Sequence, residues 1–431
     1  MDCAFKDLIA VSKDGEWGKG EPFDDSVEML AIRGTDFEDI RFGLTVGTPR
    51  RHIAKRHAER KILRPWDLII EVAGGTKNQI TGRTVLLRPH LFSRSELPFT
   101  CASFSRFIRL NTELCDPAFM FWYLQHLYSS GSMHAYHTQH TGIARFQWTT
   151  FSEREPLTLP PLPVQQRIAG ILSAYDELIE NSQRRIKILE QMARGLYREW
   201  FVHFRFPGHE GHPRVASAVG EIPAGWEVVD LASVCIEGNG IQTGPFGSQL
   251  HAYDYSYEGV PVVMPKDIIG FRIQTDSIAR IPEETADRLA RHRMQPGDIV
   301  YGRRGDIGRR AYVMPHQAGW LCGSGSLRFR PDSRVVNGWY LFNYLGQDDV
   351  VGLIAGRAQG VTMPNLSAGV MASVPVTLPP RYIQDRFEHL TFPLAEAREI
   401  LTDRIENLRR TRDLLLPRLL AGQVELAEVD E

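Results

Sequence analysis

The sequence predicts an α+β chain: two mixed α/β domains in tandem, each followed by a long helix, with the two helices free to pair with each other. Three observations predict it. Leu157-Thr158-Leu159-Pro160-Pro161 returns as Val376-Thr377-Leu378-Pro379-Pro380, a step of 219 residues between Pro160 and Pro379. Upstream landmarks repeat in the same order. Leu63-Arg64-Pro65-Trp66-Asp67-Leu68-Ile69-Ile70 matches Met294-Gln295-Pro296-Gly297-Asp298-Ile299-Val300-Tyr301, and Thr141-Gly142-Ile143 matches Gln359-Gly360-Val361. Each Pro-Pro pair opens a long stretch with a seven-residue apolar beat. Globule–helix–globule–helix, with both halves diverged, suggests two related readers held apart by a spacer.

The elements follow in chain order. The first domain covers 1–161, with strands expected over Trp66–Val72, Arg83–Leu87 and Phe104–Leu110 and a helix over Ala118–Tyr128. Gly74-Gly75, Gly82 and Gly142 punctuate it as turns. The central helix covers 162–206. Pro163 sits at its start, where a missing N–H costs nothing. Ile168, Tyr175, Ser182, Leu189 and Leu196 form one seam, and Leu172, Ile179, Ile186, Ala193 and Trp200 the other, which is a coiled-coil pattern. From Val164 to Phe201 such a helix is about 57 Å long, against a DNA repeat of about 34–36 Å. Residues 207–219, rich in Pro, Gly and His, are expected to be a linker. The second domain covers 220–380, with strands over Val260–Met264, Asp298–Tyr301, Ala311–Met314 and Ser326–Phe329 and a helix over Trp339–Tyr344. The distal helix covers 381–422. Phe387, Leu394, Leu401, Leu408 and Leu415 keep the beat, but Thr391, Arg398, Ile405, Arg412 and Leu419 make a more polar companion seam, expected to be wider or partly exposed. Pro417 is expected to end or bend this helix. Residues 423–431 form an acidic tail.

Composition narrows the function. At 431 residues the chain can hold two or three domains, each with its own core. No run reaches the roughly 18 apolar residues that span a bilayer, and Met1–Lys6 lacks a signal peptide's basic and apolar regions. No membrane association is expected, and the cytoplasm is the default location. Five scattered cysteines, none in a Cys-x-x-Cys pair, indicate neither a disulfide framework nor a zinc ribbon. The net charge of −2 does not advertise a nucleic-acid binder, but its distribution is uneven. Arg41, Arg50, Arg51, Lys55, Arg56, Arg60, Lys61 and Arg64 meet only Glu59 in their segment. Arg288, Arg291, Arg293, Arg303, Arg304, Arg309 and Arg310 cluster in the second half. Local basic patches on a neutral protein fit a subunit that clamps DNA with one surface and meets protein with another.

No self-sufficient active site emerges. Ala73-Gly74-Gly75-Thr76-Lys77 lacks the spacing of a phosphate-binding loop, and no Gly-x-Ser-x-Gly elbow occurs. His134, His137 and His140 would share one face if helical, but zinc needs a fourth ligand. Asp24-Asp25 and Asp348-Asp349 are adjacent acids that point apart, whereas acid–base work needs convergent groups. The chain is therefore expected to be non-catalytic by itself, with no catalytic, metal-binding or cofactor-binding residues. What remains suits DNA reading: Lys77, Asn78, Gln79, Arg83, Arg145 and Gln147 in the first domain, and Lys266, Arg303, Arg304, Arg309, Arg310, Gln359 and Asn365 in the second. Their side chains supply donors for phosphates and base edges.

Leu159-Pro160-Pro161-Leu162-Pro163-Val164-Gln165-Gln166-Arg167-Ile168, its copy Leu378–Phe387, the entry Glu221-Ile222-Pro223-Ala224-Gly225-Trp226-Glu227-Val228, the loop Gly302–Arg309 and the ending Leu414–Gly422 together resemble the specificity subunit of type I restriction–modification enzymes over nearly the whole chain. The resemblance implies two target-recognition domains, each reading one half of a split, asymmetric double-stranded DNA site. It implies that the two helices form an antiparallel coiled coil that sets the spacing and docks two adenine methyltransferase subunits, with motor–nuclease subunits completing the complex. S-adenosylmethionine, ATP and magnesium would belong to those partners. Two departures stand out. The first domain lacks the Pro-x-Gly-Trp entry, and Glu71-Val72-Ala73-Gly74-Gly75-Thr76 replaces the arginine–glycine loop, so the two half-sites should differ. The alternative is a coiled-coil scaffold whose globules bind proteins without sequence-specific DNA recognition.

Overall fold

A computed structural model describes residues 2–74, 79–139, 143–247, 249–358 and 365–425. The chain divides into two compact units. One comprises residues 1–186 with 399–431, the other 187–398, so each contains one globule and a portion of both long helices.

The sequence repeat is a repeat of topology. In the first unit a four-stranded antiparallel sheet runs in the order Ile9–Asp14, Ser105–Leu110, Leu68–Glu71, Thr84–Leu86. In the second the order is Ile241–Thr243, Ser326–Phe329, Ile299–Gly302, Arg310–Tyr312. Each unit adds a three-stranded sheet with one antiparallel and one parallel pairing: Arg50–Ala54, Ser26–Ile32 and Phe99–Cys101 in the first, Ala279–Ile281, Val260–Val263 and Leu321–Cys322 in the second. Each closes by pairing the start of its globule with the strand before the helix, Asp2–Ala4 with Pro156–Thr158 and Glu227–Asp230 with Pro375–Leu378.

The matched residues hold matched bonds. Asp67 and Asp298 are both fully buried. Each accepts the N–H three residues back, from Arg64 and Gln295, and each is gripped by two guanidinium donors, from Arg109 and Arg330, at 2.7–2.8 Å. A buried carboxylate needs such partners to stay charged. The residue before it takes a left-handed conformation in both: Gly297 at φ 90°, where glycine does so freely, but Trp66 at φ 72°, where a side chain is strained. At the helix entries Gln165 and Gln384 repeat each other too. The amide of Gln165 accepts from the Asp116 N–H and donates to the Pro160 carbonyl; that of Gln384 accepts from Asn337 and donates to Pro379. Asp116 and Asn337 in turn cap the helices Pro117–Ser129 and Gly338–Tyr344.

The long helices span Leu162–Tyr197, followed by a π-helical turn Arg198–Val202, and Arg381–Leu420. They pair antiparallel within each unit. In the first, Ile168 and Leu172 share a core with Leu416 and Leu419, while Ile179 packs with Ile405 and Phe42. In the second, Tyr197 and Trp200 meet Phe387. Of the predicted seam, Ile168, Leu172, Ile179, Trp200, Phe387 and Leu401 are buried, and Tyr175, Ile186, Leu189, Leu196, Leu394, Leu408 and Leu415 are half-buried.

Several expectations are corrected. The polar companion seam of the distal helix is less exposed than expected: Thr391, Ile405, Arg412 and Leu419 are buried, and Arg398 is half-buried. The reason is that its polar groups are bonded. Thr391 accepts from the Trp339 indole N–H and donates to the Phe387 carbonyl, and Arg412 pairs with Asp176. Pro417 neither ends nor breaks the helix, which continues to Leu420; only one turn remains, and Leu416 and Leu419 anchor it in the core. The presumed linker contributes Arg214–Ser217, which forms a hairpin with Gly220–Pro223. His134 lies in a 3₁₀ turn, Ser132–Tyr136, and His137 opens a strand, so the two do not share a helix face; His140 lies outside the described residues. Among the described residues no helix is long and apolar enough to cross a membrane, and no group of three or more His, Cys, Asp and Glu residues could hold a metal.

Candidate nucleic-acid interface

In the second unit the loops at one end of the four-stranded sheet gather around Arg303 and Arg304. Strand Ile299–Gly302 delivers them. The Arg303 N–H donates to the Gly325 carbonyl, and the Leu366 N–H donates to the Arg303 carbonyl. The Arg303 guanidinium donates twice to Asn365 Oδ1 (3.2 and 3.0 Å) and lies 5.6 Å from the Phe246 ring centre. Burial, with the neighbouring Arg304 charge, pushes its pKa down. Arg304 is exposed and bridges Asn365 through the backbone. Lys266 is exposed on the turn Pro265–Asp267, whose proline packs beside Gly325. Gly244 is obligatory here, because a Cβ would overlap the Gly323 carbonyl. Exposed Phe246 follows directly.

The first unit builds the same end with other residues. The Val72 N–H donates to the Phe104 carbonyl and the Phe146 N–H to the Val72 carbonyl, so Val72 stands where Arg303 does and Phe104 where Gly325 does. Ala73 pairs with Arg145 as Arg304 pairs with Asn365. The exposed arginine has thus changed strands: Arg304 against Asn365 in one unit, Arg145 against Ala73 in the other. Gly15 repeats Gly244, its missing Cβ facing the Cys101 and Ala102 carbonyls.

The predicted residues separate into groups. Arg145, Gln147, Lys266 and Arg304 are exposed with Arg303 and Asn365 beside Arg304. Gln79 is exposed on the first unit. Arg309 is exposed and ion-paired with Asp306 at 2.8 Å. Arg83 donates twice to Glu71 (2.9 and 2.8 Å), so its fork is spent within the domain. Arg310 is buried against Phe342 and Phe271 and faces the interior. Lys77, Asn78 and Gln359 lie outside the described residues. Of the two basic runs, Arg41 is turned inward onto Asp176, Lys61 pairs with Glu16, and Arg293 pairs with Glu283 and Asp287. Charge counts along a segment do not see partners supplied by the fold. Sequence reasoning passed over Phe104 and Phe246. Their signal was available: a single aromatic inside a Ser- or Gly-rich loop, with no apolar neighbour to bury it.

This arrangement defines a duplicated recognition protein with two differently furnished loop platforms. Residues 88–191 match the family model of the type I restriction modification DNA specificity domain. The chain is 26% identical over 312 residues to the type I restriction enzyme MjaIX specificity subunit of Methanocaldococcus jannaschii, covering 71% of this chain and 70% of that one. It is 24% identical over 300 residues to the MjaVIII specificity subunit of the same organism, covering 68% and 67%. Its fold matches the crystal structure of the type I restriction–modification S subunit from M. genitalium with a TM-score of 0.62 at 17% identity, over 97% of this chain and 95% of that one. Over about two thirds of its length the chain is thus similar to type I restriction enzyme specificity subunits.

Proposed function

We propose that this chain is the DNA-recognition subunit of a type I restriction–modification complex and reads a bipartite, asymmetric site, one half with each unit. The observation that carries the asymmetry is the exchange at equivalent loop positions: Val72, Ala73, Phe104 and Arg145 in one unit, Arg303, Arg304, Gly325 and Asn365 in the other. Arginine favours guanine edges and asparagine adenine edges, so platforms with different donors select different bases. The paired helices fix the separation of the halves and dock two methyltransferase subunits. Adenine methylation and DNA cleavage are carried out by the methyltransferase and motor–nuclease partners, which bind S-adenosylmethionine, ATP and magnesium. The complex works in the cytoplasm.

Co-expression with a cognate methyltransferase subunit, followed by genome-wide mapping of methylated adenine, tests this reading. A split motif with two unlike halves is expected only when this chain is present. A complex that assembles and binds cofactor yet adds no methylation, or a palindromic motif, would refute it. Within that complex Arg304→Ala is expected to weaken DNA binding and to lower the slope of log affinity against log salt by about 1. An unchanged slope would remove Arg304 from the DNA contact.

A further inference from the structure

The two units differ at one buried position in a way that leaves a charge unanswered. In the first unit Asp176 of the central helix is fully buried and receives Arg41 (2.7 Å), Arg88 (3.3 Å) and Arg412 (2.6 Å), with Arg41 5.1 Å from the Phe121 ring centre. By the 219-residue step that relates Gln165 to Gln384, the counterpart of Asp176 on the distal helix is Ala395. By the 221-residue step that relates the caps Asp116 and Asn337, the counterpart of Phe121 is Phe342. Over that ring, 4.9 Å from its centre, lies the guanidinium of Arg310.

Arg310 has entered the second unit by a matched exchange of sizes. Its strand partner is Tyr301, as Thr84 partners Ile70 in the first unit. There the Gln125 amide donates to Thr84. The counterpart of Gln125 is Gly346, and any side chain at Gly346 would overlap the Arg310 guanidinium. A long cation has replaced a short hydroxyl, and a glycine has made room for it.

The cation came without an anion. Arg310 donates to the Phe342 carbonyl (2.8 Å) and the Gly308 carbonyl (3.3 Å), and among the described residues no carboxylate pairs with it. Burial, aided by the Arg194 charge, lowers its pKa to about 10, so it remains charged at neutral pH. It borders a cavity of about 260 Å³ within the second unit, lined also by Arg194 and Glu190, which pair at 3.8 Å, by Arg198 and Arg398, and by Asp348. Ala395 borders the same cavity. A buried cation without a counter-charge is costly, and a partly enclosed space beside it suits a small anion.

We propose that this cavity binds a free small carboxylate against Arg310, filling the place that the Asp176 carboxylate occupies in the first unit. Glu190 and Asp348 disfavour doubly charged anions such as phosphate, and the volume suits a ligand of acetate to glutamate size.

Thermal unfolding of the full chain, at constant ionic strength with sodium acetate or glutamate exchanged for chloride, tests the site. A saturable rise of roughly 2–4 °C is expected, with slowed hydrogen exchange confined to the segment 339–348. In Ala395→Asp, which supplies the carboxylate covalently, the midpoint should already be raised and the acetate response lost. A flat titration with unchanged exchange, an equal or larger response to inorganic phosphate, or a full acetate response retained in Ala395→Asp would each overturn the proposal.

Discussion

Replacing Asp176 with asparagine is expected to cost the first unit about 3–5 kcal/mol, the usual range when one member of a buried ion pair is removed. The change keeps the size and an acceptor but leaves Arg41 and Arg88 without an anion and Arg412 with only the exposed Asp413 (2.8 Å), and all three arginine side chains are at most 14% exposed. Arg41 and Arg88 come from the globule, Asp176 from the central helix and Arg412 from the distal helix, so the carboxylate joins three parts of one unit. Glu180, one turn on, repeats the arrangement with Arg94 (3.1 Å) and Arg184 (2.8 Å). Segment-resolved hydrogen exchange under increasing denaturant is the suitable measurement, because a chain of two units need not unfold in one step. A loss below about 1 kcal/mol in residues 2–186 would mean the three arginines find water or other acceptors.

The same node sets a pH dependence. Burial is the largest single influence on Asp176 and opposes its ionisation, but the charges of Arg41, Arg412 and Arg88 and the Arg41 hydrogen bond together outweigh it and hold the carboxyl below its ordinary value of 3.8. A depressed folded pKa contributes stability that is fully present above the unfolded value and is lost as pH falls through the folded one. The first unit should therefore lose stability below about pH 4, and Asp176→Asn should flatten that part of the profile.

The second large effect is expected from Phe387→Ala. Phe387 is fully buried on the distal helix, its ring centre 5.7 Å from Tyr197, 6.2 Å from Trp200 and 5.1 Å from Phe201. Removing the ring should cost about 3–5 kcal/mol, transfer free energy plus the cavity left behind. The ring sits where the end of the central helix turns through the π-helical segment toward the second globule. Exchange should accelerate in residues 187–398, with residues 2–186 little changed. Equal acceleration in both units would show that they unfold together, and a loss under about 1 kcal/mol would show that the four rings repack.

Much of this fold was legible in the chain because it is written in patterns of short period. The seven-residue beat from Ile168 and from Phe387 gave two helices, since an apolar stripe must be buried. A continuous apolar run gave the strand Leu68–Glu71 and an alternating one the strand Ser326–Phe329. The duplicated Pro-Pro and Pro-x-Asp landmarks gave two copies of one domain. Strands such as Ser26–Ile32 and Arg50–Ala54 were not anticipated, because their register is set by partners remote in sequence.

The candidate site was legible only in kind. Arg145, Arg303, Arg304 and Asn365 were recognisable as donors, yet their grouping follows from loops joined by Arg303–Gly325 and Ala73–Arg145 contacts across dozens of residues. Arg41, Arg83, Arg304 and Arg310 look alike in the sequence. One anchors a helix, one grips Glu71, one faces solvent and one is buried over Phe342. By itself the sequence determined the duplication, the two helices and the family resemblance, because periodicity and repeated order are properties of the chain. Which charges are spent on holding each unit together and which are left facing solvent was decided only by the tertiary structure, because the energy of a charge depends on the partners and the solvent around it.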